Sequence, residues 1–306
     1  MIDTVDLDSN GYHQLNGGSG MKLAFDVGVY DGADSLKYLS LGYRVIGIEA
    51  SPDLCAKLRH QFAAEIADGR YTLLNVAIGE RDNEVLPFWL SEQPQWNSFD
   101  HAAATRDGKS ATRIDVPTRT TASITREFGT PDFMKVDIEG FDHVAVRGMG
   151  ESCPRYVSFE ADREHCDELV LDLHSRGYTQ FSLVEQHRTR PVVLPAVGTL
   201  AHVQWSARQW LRWQMRKHPV LHRAIAGTRS TLRWAALRRA HRENPQREAA
   251  MLRPTLTPME HQVWHGVSDF VWLWRNVIAS GLIDSSWYDV HACRSDTIAL
   301  RVPRAA

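Results

Sequence analysis

Long apolar runs are missing from this chain. None of its 306 residues falls in a stretch approaching the ~20 apolar residues a membrane-spanning helix needs, so an integral membrane protein is not expected. The start, Met1-Ile2-Asp3-Thr4-Val5-Asp6, is acidic rather than basic, which argues against a secretory leader. Cysteine is scarce: Cys55, Cys153, Cys166 and Cys293 are scattered without a CxxC pair. That spacing indicates neither a zinc knuckle nor a disulfide framework, and a reducing cytoplasm is the expected setting. Internal repeats and low-complexity tracts are absent as well.

Charge is present but unevenly placed. Between positions 206 and 262, twelve Arg and Lys stand against three acids, Glu243, Glu248 and Glu260. With a net charge of −2 for the chain, everything outside that segment carries −11. An acidic body with a basic insert is the reading. The insert also holds Trp210, Trp213 and Trp234 among its arginines, broken by prolines. Solvated helices packing their tryptophans on the body are expected there, with contact to a membrane surface as the functional alternative. Nucleic acid is not expected as a partner, because no DNA- or RNA-reading motif accompanies the charge.

Alternating periodicity organises residues 21 to 184. Strands are expected at 22–26, 44–49, 71–76, 133–138, 155–160 and 178–183, and helices near 33–41, 52–67, 121–128, 141–149 and 163–176. Such alternation implies a mostly parallel sheet covered by helices on both faces. Runs at 84–90 and 113–117 interrupt it and bracket a polar loop, 91–110, expected to fold over the sheet's edge. The expected division is a flexible leader at 1–20, a core at 21–205, the basic helical insert at 206–262, and a segment at 263–306 that returns to the core sheet. A last strand is expected at 297–302.

One absence is decisive for ligand chemistry. After the first strand the chain reads Asp26-Val27-Gly28-Val29-Tyr30-Asp31-Gly32, with Tyr30 where a dinucleotide fold wants its second glycine. That glycine lets the backbone approach a pyrophosphate, so a nicotinamide cofactor is disfavoured. S-adenosylmethionine has no phosphate to cradle; acids around such a turn suit its ammonium, sulfonium and ribose. Gly28 suits a sharp bend or close approach to a ligand, and Gly32 close packing where the helix begins. Glu49, ending the second strand, can accept hydrogen bonds from both ribose hydroxyls. Ala50 follows it, and Asn75 and Ala77 fall where an adenine edge is expected. Further on, Asp137 and Glu139 stand two apart in extended chain, on one side, before Gly140 turns it into a helix. Asp26, Glu49, Asp137, Glu139 and Glu160 would all lie at the carboxyl edge of the sheet, where open α/β folds bind ligands.

These segments resemble the FkbM family of S-adenosylmethionine-dependent methyltransferases. The resemblance runs through Phe25-Asp26-Val27-Gly28-Val29-Tyr30-Asp31-Gly32, Arg44-Val45-Ile46-Gly47-Ile48-Glu49-Ala50-Ser51-Pro52, Asn75-Val76-Ala77-Ile78-Gly79 and Trp96-Asn97-Ser98-Phe99. It is strongest at Met134-Lys135-Val136-Asp137-Ile138-Glu139-Gly140, and Trp287–Ala292 resembles a WYDxHA segment of some members. The fold it implies is α/β: a doubly wound, Rossmann-like class I methyltransferase sheet of seven strands, six parallel and one antiparallel. The activity it implies is O-methylation of a hydroxyl on a sugar, glycan or natural-product acceptor, with S-adenosylmethionine as cofactor.

A hydroxyl acceptor has to lose a proton, and a positioned base helps typically by 10²–10⁴-fold. Asp137 or Glu139 is expected to be that base, with His291 second; Asp26, Gly28, Tyr30, Gly32, Glu49, Ala50, Asn75, Ala77 and Asp137 are expected to hold the cofactor. Ser98 and Glu160 are expected on the acceptor side. His143 reads as a helix-face residue, and no metal ligand set is assigned. Tyr30, where many members carry Asn, and the reduced loop Gly266-Val267-Ser268-Asp269-Phe270 also permit a non-catalytic S-adenosylmethionine-binding or scaffold protein.

Overall fold

A computed structural model describes residues 21–186, 190–193, 199–200, 203–207, 263–278 and 287–294. The leader at 1–20, nearly all of the basic insert and the strand expected at 297–302 lie outside the described residues.

In chain order the core runs β1 (Leu23–Val27), α1 (Ala33–Ser40), β2 (Arg44–Ile48), α2 (Pro52–Gln61), α3 (Ala63–Ala67), β3 (Tyr71–Leu74) and a two-residue β4 (Ala77–Ile78). Next come β5 (Val85–Ser91), α4 (His101–Ala104), β6 (Ala111–Arg119), α5 (Thr121–Phe128), β7 (Phe133–Val136), α6 (Asp142–Arg147), β8 (Tyr156–Glu160) and α7 (Cys166–Ser175). The rest is β9 (Tyr178–Glu185), β10 (Arg190–Pro191), α8 (Val267–Leu273) and β11 (Tyr288–Arg294).

The main sheet has the order β10-β9-β11-β8-β7-β1-β2-β3. Strands β1, β2, β3, β7 and β8 pair in parallel. Antiparallel β11 sits between β8 and β9, so β9 runs with the parallel set. Six parallel strands and one antiparallel match the expected sheet; the two-residue β10 adds an eighth at the edge. The chain works outward from β1 to β3, then returns across β1 to β7. That reversal leaves a crevice at the carboxyl ends of β1 and β7, the place where doubly wound sheets bind ligands.

Both faces are sealed by apolar side chains. Phe25, Val27, Ile46, Met134, Val157 and Phe159 belong to one cluster, and Ala24, Val45, Tyr38, Phe62, Tyr71 and Phe133 to a second. Each large apolar side chain so buried contributes about 1.5–3 kcal/mol. Helix starts follow local chemistry: Pro52 opens α2 while the Ser51 hydroxyl accepts from the Leu54 N–H, and Thr120 caps α5 through the Ser123 N–H.

The helix expected at 52–67 is two helices. Phe62 ends one and starts the next with φ −103° and ψ 24°. Its ring turns inward to stack on Tyr71 at 4.5 Å, and packing overrides the helical pattern there. The runs expected between the third and fourth main strands pair as the antiparallel hairpin β5–β6, with β4 along the other side of β6. Their connecting loop carries two short 3₁₀ turns and α4. Among the described residues no helix is long and apolar enough to cross a membrane.

Candidate active site

At the switch point lies an open cleft with a cavity volume of about 210 Å³. The turn after β1 forms its floor. Gly28 has φ 85°, and a Cβ there would stand 1.9 Å from the Asp137 carbonyl oxygen. The nearest claim on this glycine is therefore the neighbouring strand end rather than a ligand. Two backbone bonds lock that contact, Gly28 N to Ile48 O and Asp137 N to Val27 O, both 2.9 Å. Gly32, φ 79°, packs as expected: a Cβ would meet the Phe62 ring at 2.6 Å.

Tyr30 takes a left-handed conformation, φ 51°, and its N–H donates to Glu49 Oε2 at 3.0 Å. The Ser51 N–H donates to Glu49 Oε1 at 2.8 Å. Burial raises the Glu49 pKa while these backbone N–H groups draw it down. Ile48, Ala50, Leu54, Ala77, Phe88 and Phe99 give the cleft beside this carboxylate apolar walls. The Tyr30 hydroxyl lies 3.3 Å from Gln95 Oε1, tying the β1 turn to the overlying loop.

Across β1 from Glu49, charge is dense. Lys135 Nζ stands 2.9 Å from Asp34 Oδ2 and 3.1 Å from Asp137 Oδ2. Glu139, with a left-handed backbone at φ 49°, pairs with Arg106 at 3.0 Å, and that guanidinium lies over the Trp96 ring at 4.5 Å. Burial pushes the Glu139 carboxyl up to about 7, against the opposing pull of Arg106.

Gly28, Tyr30, Glu49 and Ala50 line the cleft, as do Ala77, Asp137 and Glu139. Six expected site residues do not, and each has other work. Asp26 is wholly buried beneath the turn, accepting from the Ser35 hydroxyl at 2.6 Å; burial pushes it up to about 7, with Lys135 pulling the other way. Gly32 belongs to the packing just described. The Asn75 amide donates to the carbonyls of Glu49 and Ala50 at 3.0 and 3.1 Å, bracing the end of β2. Ser98 is buried and donates to the Glu139 carbonyl at 2.9 Å, bracing the Glu139 turn.

Glu160 does not line the cleft and belongs to an acidic group with Asp142 and Asp289. Its N–H donates to Asp142 Oδ1 at 3.3 Å, and β11 sets Asp289 directly opposite it. Burial and the acids around it push Glu160 up to about 9, and burial pushes Asp142 and Asp289 up to about 7. His291, the second candidate base, does not line the cleft. It is buried in the middle of β11, paired with Ser158 and Ser182, two residues short of the edge that Asp289 reaches. Burial pushes its imidazole down to about 4. His143 lies on α6 as expected and stacks on His165 with ring centroids 4.0 Å apart.

Lys135, Asp34, Arg106, Gln95 and Asp289 escaped the sequence reading. A signal existed for Lys135, which shares a strand face with Asp137. For Arg106 and Gln95 the polar loop offered none.

A doubly wound sheet of this order, with its cleft at the β1/β7 switch point, is the Rossmann-like class I methyltransferase architecture. The particular family follows from the sequence: the model of the methyltransferase FkbM domain matches residues 26–180, half of the chain. The chain belongs to that family and is a methyltransferase, and S-adenosylmethionine is the cofactor that goes with that membership. Among solved structures it is similar to a precorrin-6y C5,15-methyltransferase from Geobacter metallireducens (9% identity, TM-score 0.36, covering 90% of this chain and 80% of that one). It is also similar to StiE O-MT (10%, 0.37, 91% and 69%). A third is phosphoethanolamine N-methyltransferase 2 of Haemonchus contortus in complex with S-adenosyl-L-methionine (9%, 0.31, 91% and 50%). These likenesses are loose, and the family assignment rests on the sequence match. No curated protein matches the sequence.

Proposed function

We propose that this methyltransferase acts on oxygen, moving a methyl group from S-adenosylmethionine to a hydroxyl of a sugar, glycan or natural-product acceptor. The observation that carries the methyl-donor part of this reading is Glu49, and the hydroxyl acceptor rests on Glu139. A carboxylate has about four lone-pair positions, and the Ser51 and Tyr30 N–H groups use one on each oxygen. The Ala50 N–H also acts on this carboxylate, and the lone-pair positions left over are available to a pair of vicinal ribose hydroxyls. The apolar walls from Ile48 to Phe99 suit a flat adenine, and the acids across β1 suit an ammonium and a sulfonium. The donor set therefore fits the cofactor, with Glu49 on the ribose, Ala50 and Ala77 beside the base, and Gly28 and Tyr30 beneath.

The bound cofactor supplies an electrophilic methyl on a positively charged sulfur. What the chain adds is alignment, exclusion of water and a home for the acceptor's proton. Glu139 is the proposed base: it lines the cleft, and its carboxyl titrates near 7, where a base is most effective. Arg106 holds that carboxylate and Trp96 holds Arg106, so the loop over the cleft closes on the reacting side. Asp137 stays committed to Lys135.

Incubating the chain with methyl-labelled S-adenosylmethionine and a panel of hydroxyl acceptors tests this. Label in an alkali-stable ether product that depends on Glu139 supports O-transfer. Label found only on nitrogen or carbon overturns it, and tight donor binding with no transfer to any acceptor supports the scaffold alternative instead.

A further inference from the structure

The cleft contains a cation of its own. Strand register sets Lys135 of β7 beside Asp26 of β1, and its ammonium sits between the carboxylates of Asp34 and Asp137, with 19% of the side chain exposed. Lys135, Asp34 and Asp137 all line the cleft, as does Asp31. Asp34 Oδ1 is buried and meets no hydrogen-bond donor among the described residues. Burial works to strip a proton from a lysine; here the carboxylates of Asp137, Asp34 and Asp26 outweigh it and hold the ammonium well above its ordinary pKa. The charge is therefore permanent at working pH. Glu49 lies on the other side of β1, so the lysine occupies the end of the cleft opposite the ribose carboxylate.

Building on the methyl-donor reading, we infer that Lys135 sets the charge at the sulfur end of the cleft and so fixes the chain's preference for donor over product. Donor and product differ by one methyl group and one positive charge on sulfur. Asp34 and Asp137 without a counter-cation would favour the charged donor strongly. Yet that charge is lost during reaction: the acceptor oxygen forms a bond to the methyl carbon, the C–S electron pair passes to sulfur, and the acceptor proton goes to the base. Carboxylates that stabilise the sulfonium more than the transition state would deepen the ground state and slow the chemical step. Lys135 offsets them, leaving enough negative potential to admit the donor but not to trap it.

Calorimetric titration of the full chain with S-adenosylmethionine and with S-adenosylhomocysteine reads this as a ratio of affinities. In Lys135→Met the ratio moves about tenfold toward the donor, on the scale of one partly screened charge a few ångströms away. Lys135→Arg keeps the charge and stays within about twofold of the unaltered chain. Asp34→Asn removes a carboxylate and moves the ratio about tenfold the other way. That variant decides the matter by itself if Lys135→Met, which leaves buried carboxylates uncompensated, does not fold. An unmoved ratio in Lys135→Met or in Asp34→Asn makes Lys135 a structural counter-ion and overturns the inference, while donor binding itself stands. An unaltered chain that binds neither ligand overturns the methyl-donor reading and this inference with it.

Discussion

The two sides of the cleft are built by different means. On the β2 side, Glu49 is held by main-chain N–H groups of Tyr30 and Ser51, both set by turn geometry close to the strands that carry them. On the β7 side, charged side chains hold one another: Arg106 with Glu139, and Lys135 with Asp34 and Asp137. Main-chain donors are fixed once the fold forms and do not titrate. Side-chain pairs depend on separate segments meeting, and among these groups Glu139, pushed up to about 7, is the one whose charge responds to pH near neutrality. One wall is a rigid receptor and the other an adjustable electrostatic surface.

Breaking the seam between the two should have the largest effect. Gly28→Ala drives a Cβ to 1.9 Å from the Asp137 carbonyl at a backbone φ of 85°. Left-handed strain alone costs about 1–3 kcal/mol, and the overlap with backbone adds to it. Thermal unfolding should show a loss of about 3 kcal/mol or more, or no folded protein; a change under 1 kcal/mol would mean the strand ends separate readily.

Glu139→Gln tests the adjustable wall alone. Turnover should fall by about 10²-fold or more while the donor's Kd stays within about twofold; equal loss of both would make Glu139 a binding residue. Arg106→Ala is a gentler version. Without the guanidinium, Glu139 rises further from its ordinary value, so the ascending limb of the rate–pH profile should move upward from about 7. An unmoved limb would detach the base from Arg106.

Acidity offers the broadest comparison. Asp26, Asp142 and Asp289 are pushed up to about 7 and Glu160 to about 9, against ~4 in an unfolded chain. Between those values the folded state holds protons that the unfolded state has released. Stability from these groups is complete below about pH 4 and is lost as pH rises through 7 and then 9. The melting temperature of the ligand-free chain should fall from pH 5 to pH 8, and Glu160→Gln should flatten the decline. A rise over that interval would contradict the burial of these carboxyls.

The same division explains what the sequence disclosed. Strand–turn–helix alternation and the Asp26–Gly32 and Glu49 segments are local patterns, and the β2 wall follows from them almost completely. Sheet order was accessible through the FkbM resemblance, whereas the strand expected at 297–302 lies outside the described residues and β11 enters the sheet earlier, at Tyr288–Arg294. On the β7 side the sequence displayed acids but not their partners. Arg106 reaches Glu139 only because the β5–β6 hairpin folds its loop over the cleft. His291 drew attention as a titratable aromatic-flanked residue, yet it shares a strand face with Asp289, and register along β11 puts it mid-sheet and Asp289 at the edge. Ser98 and Asn75 were legible as positions but not as roles, since both are spent on main-chain carbonyls.

Glu49 is the residue proposed to grip the donor's ribose. Calorimetric titration of S-adenosylmethionine into the unaltered chain and into Glu49→Ala tests it most directly. Two charge-assisted hydrogen bonds at roughly 1.5–3 kcal/mol each predict an affinity loss of about 10²-fold or more in a variant that keeps the melting profile of the folded chain. Equal affinity in both proteins would contradict it.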